Sequence, residues 1–120
     1  MTFKEHDTPA GTLVEVRSDE IIIREEQDAL DLMANVQYLH DSNHILVHHH
    51  QLGEEFFDLK SGLAGAVLQK FSNYRVRLTI VADLSAQNSK SLRDFVRESN
   101  RTGHIRFVSS LEEALGGSNG

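Results

Sequence analysis

The spacing of apolar residues along this 120-residue chain changes repeatedly between the two-residue period of a strand and the longer period of a helix. Residues 13–17 alternate, and a β-branched run at 21–23 follows the turn-forming Ser-Asp pair at 18–19. We predict two strands joined by a short hairpin over these residues. Residues 1–10 are polar and residues 116–120 are rich in glycine, so both ends of the chain are expected to be loose.

Four segments of the chain predict helices. Residues 25–39 carry apolar side chains at intervals of three and four, which is the pattern of an amphipathic helix. A second helix over 61–72 and a third over 89–103 are each opened by a serine that can cap the first turn. The sequence Ser-Leu-Glu-Glu at 110–113 fits a capping box and predicts a short last helix.

Three further apolar segments, at 44–50, 75–81 and 105–108, predict strands that are separated by single helices. The element order is β-β-α-β-α-β-α-β-α, and single-helix connections imply right-handed parallel crossovers. The whole chain is therefore predicted to be one α/β domain with a mixed, mostly parallel sheet of about five strands. Sites in such sheets favour the carboxyl ends of parallel strands, here the loops 48–61 and 83–89.

Composition narrows the class of protein. The chain is 39% hydrophobic and 25% charged, it lacks cysteine, and no apolar run approaches the roughly 20 residues of a membrane helix. These features predict a cytoplasmic globular domain that does not interact with a membrane. The net charge of −6 argues against nucleic-acid binding, which needs a basic footprint. No cofactor-binding motif is present in the sequence, and no cofactor is expected.

Charge is distributed unevenly between the two halves of the sequence. Residues 1–60 contain four Lys/Arg against thirteen Asp/Glu, whereas residues 61–120 contain eight against five. The first half is therefore acidic and the second is mildly basic. Such an asymmetry favours contact with an oppositely charged protein partner or with a second copy of the chain.

Two segments of the sequence resemble a known family. Residues 56–65 read Phe-Phe-Asp-Leu-Lys-Ser-Gly-Leu-Ala-Gly, and residues 89–95 read Ser-Lys-Ser-Leu-Arg-Asp-Phe. Both segments resemble the bacterial family described as domain of unknown function 4180, and the resemblance extends over nearly the whole chain. Because the family has no established activity, the resemblance implies no catalytic residue.

The element order is also similar, at the level of the fold, to STAS domains of the anti-sigma-factor-antagonist type. Those domains open their second helix with Asp-Ser-Ser-Gly-Leu, whose serine is phosphorylated by a partner kinase. Here Asp58 is separated from Ser61 by two residues, and Gly62 follows. The resemblance implies a regulatory protein–protein interaction module, with Ser61 as a phospho-switch; the alternative is that Ser61 only caps the helix. The candidate partner-binding or switch residues are Phe57, Asp58, Ser61, Gly62 and Leu63.

Five of the seven histidines lie within residues 40–50. If the strand runs to residue 50, then His44, His48 and His50 point to one face of the sheet. Neutral imidazoles at such spacing can bind zinc, nickel or copper. Alternatively, these histidines form a polar strand end whose charge rises as the pH falls.

A second functional hypothesis is a pocket at the carboxyl ends of the central strands. His50 and Asp83, together with Asp58, would place carboxylates beside an imidazole, as a small-molecule-binding protein or a hydrolase requires. The sequence contains no Gly-x-Ser-x-Gly elbow, phosphate-binding glycine loop or His-Glu-x-x-His motif. It therefore favours a binding module over an enzyme.

Basic residues recur at intervals of three and four along the third predicted helix. Such a row is typical of a solvated helix face, and it can also meet the acidic first helix of another copy or of a partner. The residues of this basic helix face are Lys90, Arg93, Arg97 and Arg101.

Overall fold

A computed structural model of the chain describes residues 1–84, 89–102 and 105–116. The strands in these residues are β1 (Thr2–Thr8), β2 (Gly11–Arg17), β3 (His44–His48), β4 (Arg77–Val81) and β5 (Ile105–Val108). The α-helices are α1 (Glu26–His40), α2 (Glu54–Phe57), α3 (Leu63–Asn73), α4 (Lys90–Thr102) and α5 (Leu111–Ala114). Short 3₁₀ turns occupy His49–Gln51 and Leu59–Ser61. Within the described residues, no helix is both long and apolar enough to cross a membrane.

The strands form one five-stranded sheet in the order β1-β2-β3-β4-β5. β1 and β2 are antiparallel, and every later neighbour in the sheet is parallel. This arrangement confirms the prediction of a mixed, mostly parallel α/β sheet. Because the crossovers advance in one direction, right-handed connections place the intervening helices on the same face of the sheet.

The predicted position of the first hairpin is wrong. The hairpin joins β1 to β2, so most of the supposedly loose segment 1–10 is a strand. The run 21–23 forms no strand, although Ile23 makes an isolated parallel bridge to Leu52. β1 is the edge of the sheet, and an edge strand is held by backbone pairing with little need for an apolar pattern. Because β1 is polar, the pattern of apolar residues did not predict this strand.

Other boundaries differ from the prediction by a few residues. β3 ends at His48 because the chain enters a 3₁₀ turn, and β4 begins at Arg77. Gly62, with φ of 81°, occupies the cap position of α3, so the helix begins two residues after Ser61. Ser89 Oγ accepts from the Leu92 N–H at 3.2 Å, in agreement with its predicted capping of α4.

The hydrophobic core lies between one face of the sheet and helices α1, α3 and α4. Phe71 of α3 is fully buried there, and the rings of Phe95 in α4 and Phe107 in β5 lie 6.1 Å apart. Full burial of one such side chain contributes about 1.5–3 kcal/mol. The sheet residues of this core are Val14, Val16, Ile45, Val47, Leu78, Ile80, Ile105 and Phe107.

The opposite face of the sheet has a different character. Strand alternation places Glu15, His44, Thr79 and Arg106 on it, and the first three of these are buried. The sheet therefore separates an apolar side, covered by three helices, from a side whose buried residues include ionisable groups.

Candidate functional site

The turn that precedes α3 lies after the carboxyl end of β3 and is held by its own side chains. Asp58 Oδ1 accepts from the Lys60 N–H at 3.2 Å. Ser61 Oγ donates to the Glu55 carbonyl at 2.6 Å and accepts from the Leu63 N–H at 3.2 Å. The three bonds fix the backbone between α2 and α3, which makes this segment a defined surface feature although Ser61 is exposed.

Gly62 is needed in this turn for its conformation. Its φ of 81° is in the left-handed region, and a Cβ added there meets no atom within 4 Å. A larger side chain would therefore project into open space at the cost of backbone strain.

Phe57 and Leu63, the apolar residues among the predicted partner-binding residues, are partly buried. Phe57 packs with its ring centroid 4.3 Å from that of His49 and 5.3 Å from that of Phe56. Leu63 also packs against the core. The accessible part of the segment consequently consists of Asp58, Lys60, Ser61 and Gly62.

The residues of the predicted pocket are exposed. His50 Nε2 donates to the Ser18 carbonyl at 2.8 Å, and Asp83 follows β4 at the surface. A cavity of about 500 Å³ lies at the opposite edge of the sheet, between residues 10–12 and 41–43, with Gln37 at its side. A smaller cavity of about 200 Å³ separates α1 from Tyr74. Neither cavity is lined by the residues of the predicted pocket.

The three histidines proposed as metal ligands have separate partners. His44 Nε2 is hydrogen-bonded to Thr79 Oγ1 at 2.9 Å, and His48 Nε2 donates to Glu15 Oε2 at 2.7 Å. His50, in the 3₁₀ turn beyond the strand, binds a backbone carbonyl. Among the residues that the structure describes, no three His, Cys, Asp or Glu side chains are placed to hold a metal ion.

Glu15 is a site residue that sequence reasoning missed. Its carboxylate accepts from His6 Nε2 at 2.8 Å and from His48 Nε2 at 2.7 Å, and Arg17 Nε lies 3.6 Å away. Burial alone would raise the pKa of the Glu15 carboxyl, but the bonds from both imidazoles outweigh it and lower that pKa below 4.5. The cluster joins β1, β2 and β3 through one ionised side chain.

His44 is the second missed feature, because its burial decides its chemistry. The residue is 9% exposed on the sheet face opposite the helices. Burial, together with the guanidiniums of Arg77 and Arg106, lowers the pKa of His44 to about 4. The imidazole is therefore neutral at pH 7.

Gln51 holds the connection after β3 against β2. Its side-chain amide is buried, donates to the carbonyls of Val16 and Ser18, and accepts from the His48 N–H at 2.8 Å. A buried amide with its partners in place orders the backbone around it. The chain that leads into the Asp58–Leu63 turn therefore begins at a residue that is held to β2 by hydrogen bonds.

The basic face of α4 is largely neutralised within the helix. Asp94 accepts from Lys90 and Arg97, and Glu98 accepts from Arg101. All of these pairs are three or four residues apart and exposed to solvent, so water and salt screen them and they contribute little to the stability of the fold. The geometry favours the interpretation of this row as a solvated face.

Comparison with known proteins places the chain in a family. No curated protein and no solved structure matches it. The family model described as a domain of unknown function (DUF4180) matches residues 9–116, which span β2 to the end of α5 and include the Ser61 turn, Glu15 and His44. The chain belongs to the DUF4180 family.

Proposed function

We propose that this protein is a regulatory protein–protein interaction module that docks its partner through the Asp58–Leu63 turn. The observation that carries the proposal is the Ser61–Gly62 pair, which is exposed yet held in one conformation by side-chain hydrogen bonds. A surface that is already ordered loses little conformational entropy when it binds. The order of strands and helices, which resembles that of STAS domains, supports the same role.

The position of the turn at the end of the sheet favours a docking surface that includes the first residues of two helices of this chain, α3 and α4. β3 and β4 are adjacent and parallel, so α3 and α4, which follow them, begin at the same edge. We expect a partner that contacts Gly62 to contact Lys90 at the start of α4 as well. The docking surface would combine the Asp58–Leu63 turn with the first residues of α4.

Ser61 is suited to act as the switch in this surface. Its hydroxyl hydrogen is donated to the Glu55 carbonyl, and a phosphoryl group on the oxygen would abolish that bond. The added charge would lie beside the Leu63 N–H at the start of α3 and near Lys60, where an anion is favoured. Phosphorylation would consequently rearrange the turn without unfolding the helix.

Replacing Gly62 by leucine tests the docking surface. We expect this variant to bind the captured and purified partner at least tenfold more weakly, because the side chain protrudes from the turn. Gly116→Leu is the matched control, since Gly116 has a similar φ of 89° and equally open surroundings outside the turn. Calorimetric titration of both variants is the measurement, and equal binding by both would remove the docking proposal.

Replacing Ser61 by aspartate tests the switch separately. We expect partner affinity to change at least fivefold, because the carboxylate removes the bond to the Glu55 carbonyl and places a negative charge at the start of α3. Ser72→Asp adds the same charge at the other end of α3, where Ser72 is exposed, and should leave binding as it is. Unchanged affinity in Ser61→Asp would show that Ser61 serves only to stabilise the turn.

A further inference from the structure

The sheet face opposite the three helices concentrates positive charge in a protein whose net charge is −6. Among its described strand residues, Glu15 is the one carboxylate, and it is already bonded to two imidazoles. The permanent cations on this face are Lys4, Arg17, Arg77 and Arg106. The described strand residues of this face therefore carry a net positive charge.

Two of these cations flank a buried hydrogen-bonded pair. Arg77 is directly across from His44 in the β3–β4 register, and Arg106 is directly across from Thr79 in the β4–β5 register. His44 and Thr79 are themselves joined at 2.9 Å. The two arginines therefore occupy diagonal positions of one small grid on neighbouring strands.

Within the described residues, neither guanidinium has a counter-charge. Arg77 and Arg106 are half-buried, and the side chain of neither makes an ion pair or hydrogen bond with any residue in the described part of the chain. By contrast, Arg17 on the same face lies 3.6 Å from Glu15. Two cations on the same face of neighbouring strands repel each other when no anion lies between them, and partial burial weakens the screening by water.

The pKa of the neighbouring His44 imidazole is affected by the positive potential of the two arginines. His44 is kept neutral by its burial and by the charges of Arg77 and Arg106, which together lower its pKa to about 4. A positive potential that discourages protonation of a histidine attracts an anion to the same place. The contribution of the two arginines to this potential favours an anion at the same place.

We propose that Arg77 and Arg106 bind an oxyanion of the phosphate class on this face of the sheet, above the His44–Thr79 pair. Each guanidinium presents a planar set of donors that fits two oxygens of a phosphate. A tetrahedral dianion offers oxygens to both arginines and balances both charges, whereas a carboxylate carries a single charge. Free phosphate and the phosphoryl group of a small phosphate monoester share this chemistry.

Titration with inorganic phosphate tests the site on the whole protein. The imidazole resonances of His44, observed by NMR at constant ionic strength with chloride as the balancing ion, are expected to shift and saturate. Arg77→Gln and Arg106→Gln should each weaken binding at least tenfold. Arg106→Lys should weaken it less, because it keeps the charge and loses the paired donors. A parallel titration with glycerol phosphate distinguishes the ester from the free ion as the tighter ligand.

Two control variants separate a site from general attraction. Arg93→Gln removes an exposed cation on α4, and Arg17→Gln removes a paired cation on the same sheet face. Both should bind phosphate as the wild type does. A linear, unsaturated response of His44, equal binding of acetate, or equal weakening by Arg93→Gln would overturn the proposal. The wild-type titration alone can do so even if a variant fails to fold.

Discussion

When the pH is lowered from 7 to 4, the free energy of unfolding of the wild-type protein is expected to decrease by about 3 kcal/mol more than that of a His44→Gln variant. The pKa of His44 is about 4 in the folded state against an ordinary 6.5, and each pH unit of difference is equivalent to about 1.4 kcal/mol. Because the folded pKa is the lower one, the unfolded chain takes up the proton first. The contribution of neutral His44 to the free energy of unfolding is therefore fully present above pH 6.5 and is lost as the pH falls towards 4.

Urea denaturation followed by circular dichroism at several pH values measures this difference. His50→Gln is the matched control, because His50 is exposed and hydrogen-bonded to a backbone carbonyl. It should retain the pH dependence of the wild type. If His44→Gln retains it as well, or if the His44 ring titrates near 6.5 by NMR, the account of its burial is wrong.

Replacing Glu15 by alanine is expected to destabilise the fold by about 3 kcal/mol at pH 7. The substitution leaves His6 Nε2 and His48 Nε2 without their acceptor, and removing one member of a buried charged cluster costs about 3–5 kcal/mol. We take the lower end because both imidazoles remain partly exposed. Hydrogen exchange should show the largest loss of protection in β1, which Glu15 joins to β2 through His6.

Glu5→Ala is the control for this experiment. Glu5 Oε2 accepts from His40 Nδ1 at 2.6 Å, so it has the same chemistry, but its side chain is 52% exposed against 6% for Glu15. An exposed pair contributes about 1 kcal/mol or less. Equal destabilisation by both variants would mean that burial gives Glu15 no special role.

The acid dependence of the Glu15 cluster has a defined sign. Because the folded pKa of Glu15 lies below its ordinary 4.5, its stabilising effect is present above pH 4.5 and is lost as the pH falls through the folded value. The difference between the wild type and Glu15→Ala should therefore shrink in stronger acid. This window lies below most of the range in which His44 acts, so the two effects can be separated.

Helices α1, α3, α4 and α5 and the parallel strands could be predicted from local pattern, whereas the short helix α2 lies in a segment that was predicted to be a loop. The apolar spacing in α1 and α4 and the capping serine of α4 are properties of neighbouring residues, and the observed helices agree with them to within a few residues. The hairpin could not be predicted in the same way. β1 is polar, and its partner is chosen by the register of backbone hydrogen bonds with β2.

In the candidate site, too, some residues could be predicted from their sequence neighbours and others could not. The Ser61 turn was found because its residues are contiguous and carry a recognisable sequence. Glu15 was not found, because a single acid between two valines in a strand has no sequence signal of its own. Likewise, the five clustered histidines share a sequence neighbourhood, yet His44 and His48 bind partners on different strands.

The sequence by itself therefore determined the approximate positions of α1, α3, α4, α5 and the strands β2 to β5, the family and the Ser61–Gly62 segment, because these depend on residues close together along the chain. Only the tertiary structure decided that Glu15 meets His48, 33 residues away, and that His44 meets Thr79, 35 residues away. It also decided that Arg77 and Arg106 share one face of the sheet. Strand pairing sets such neighbours, and burial then sets their charge.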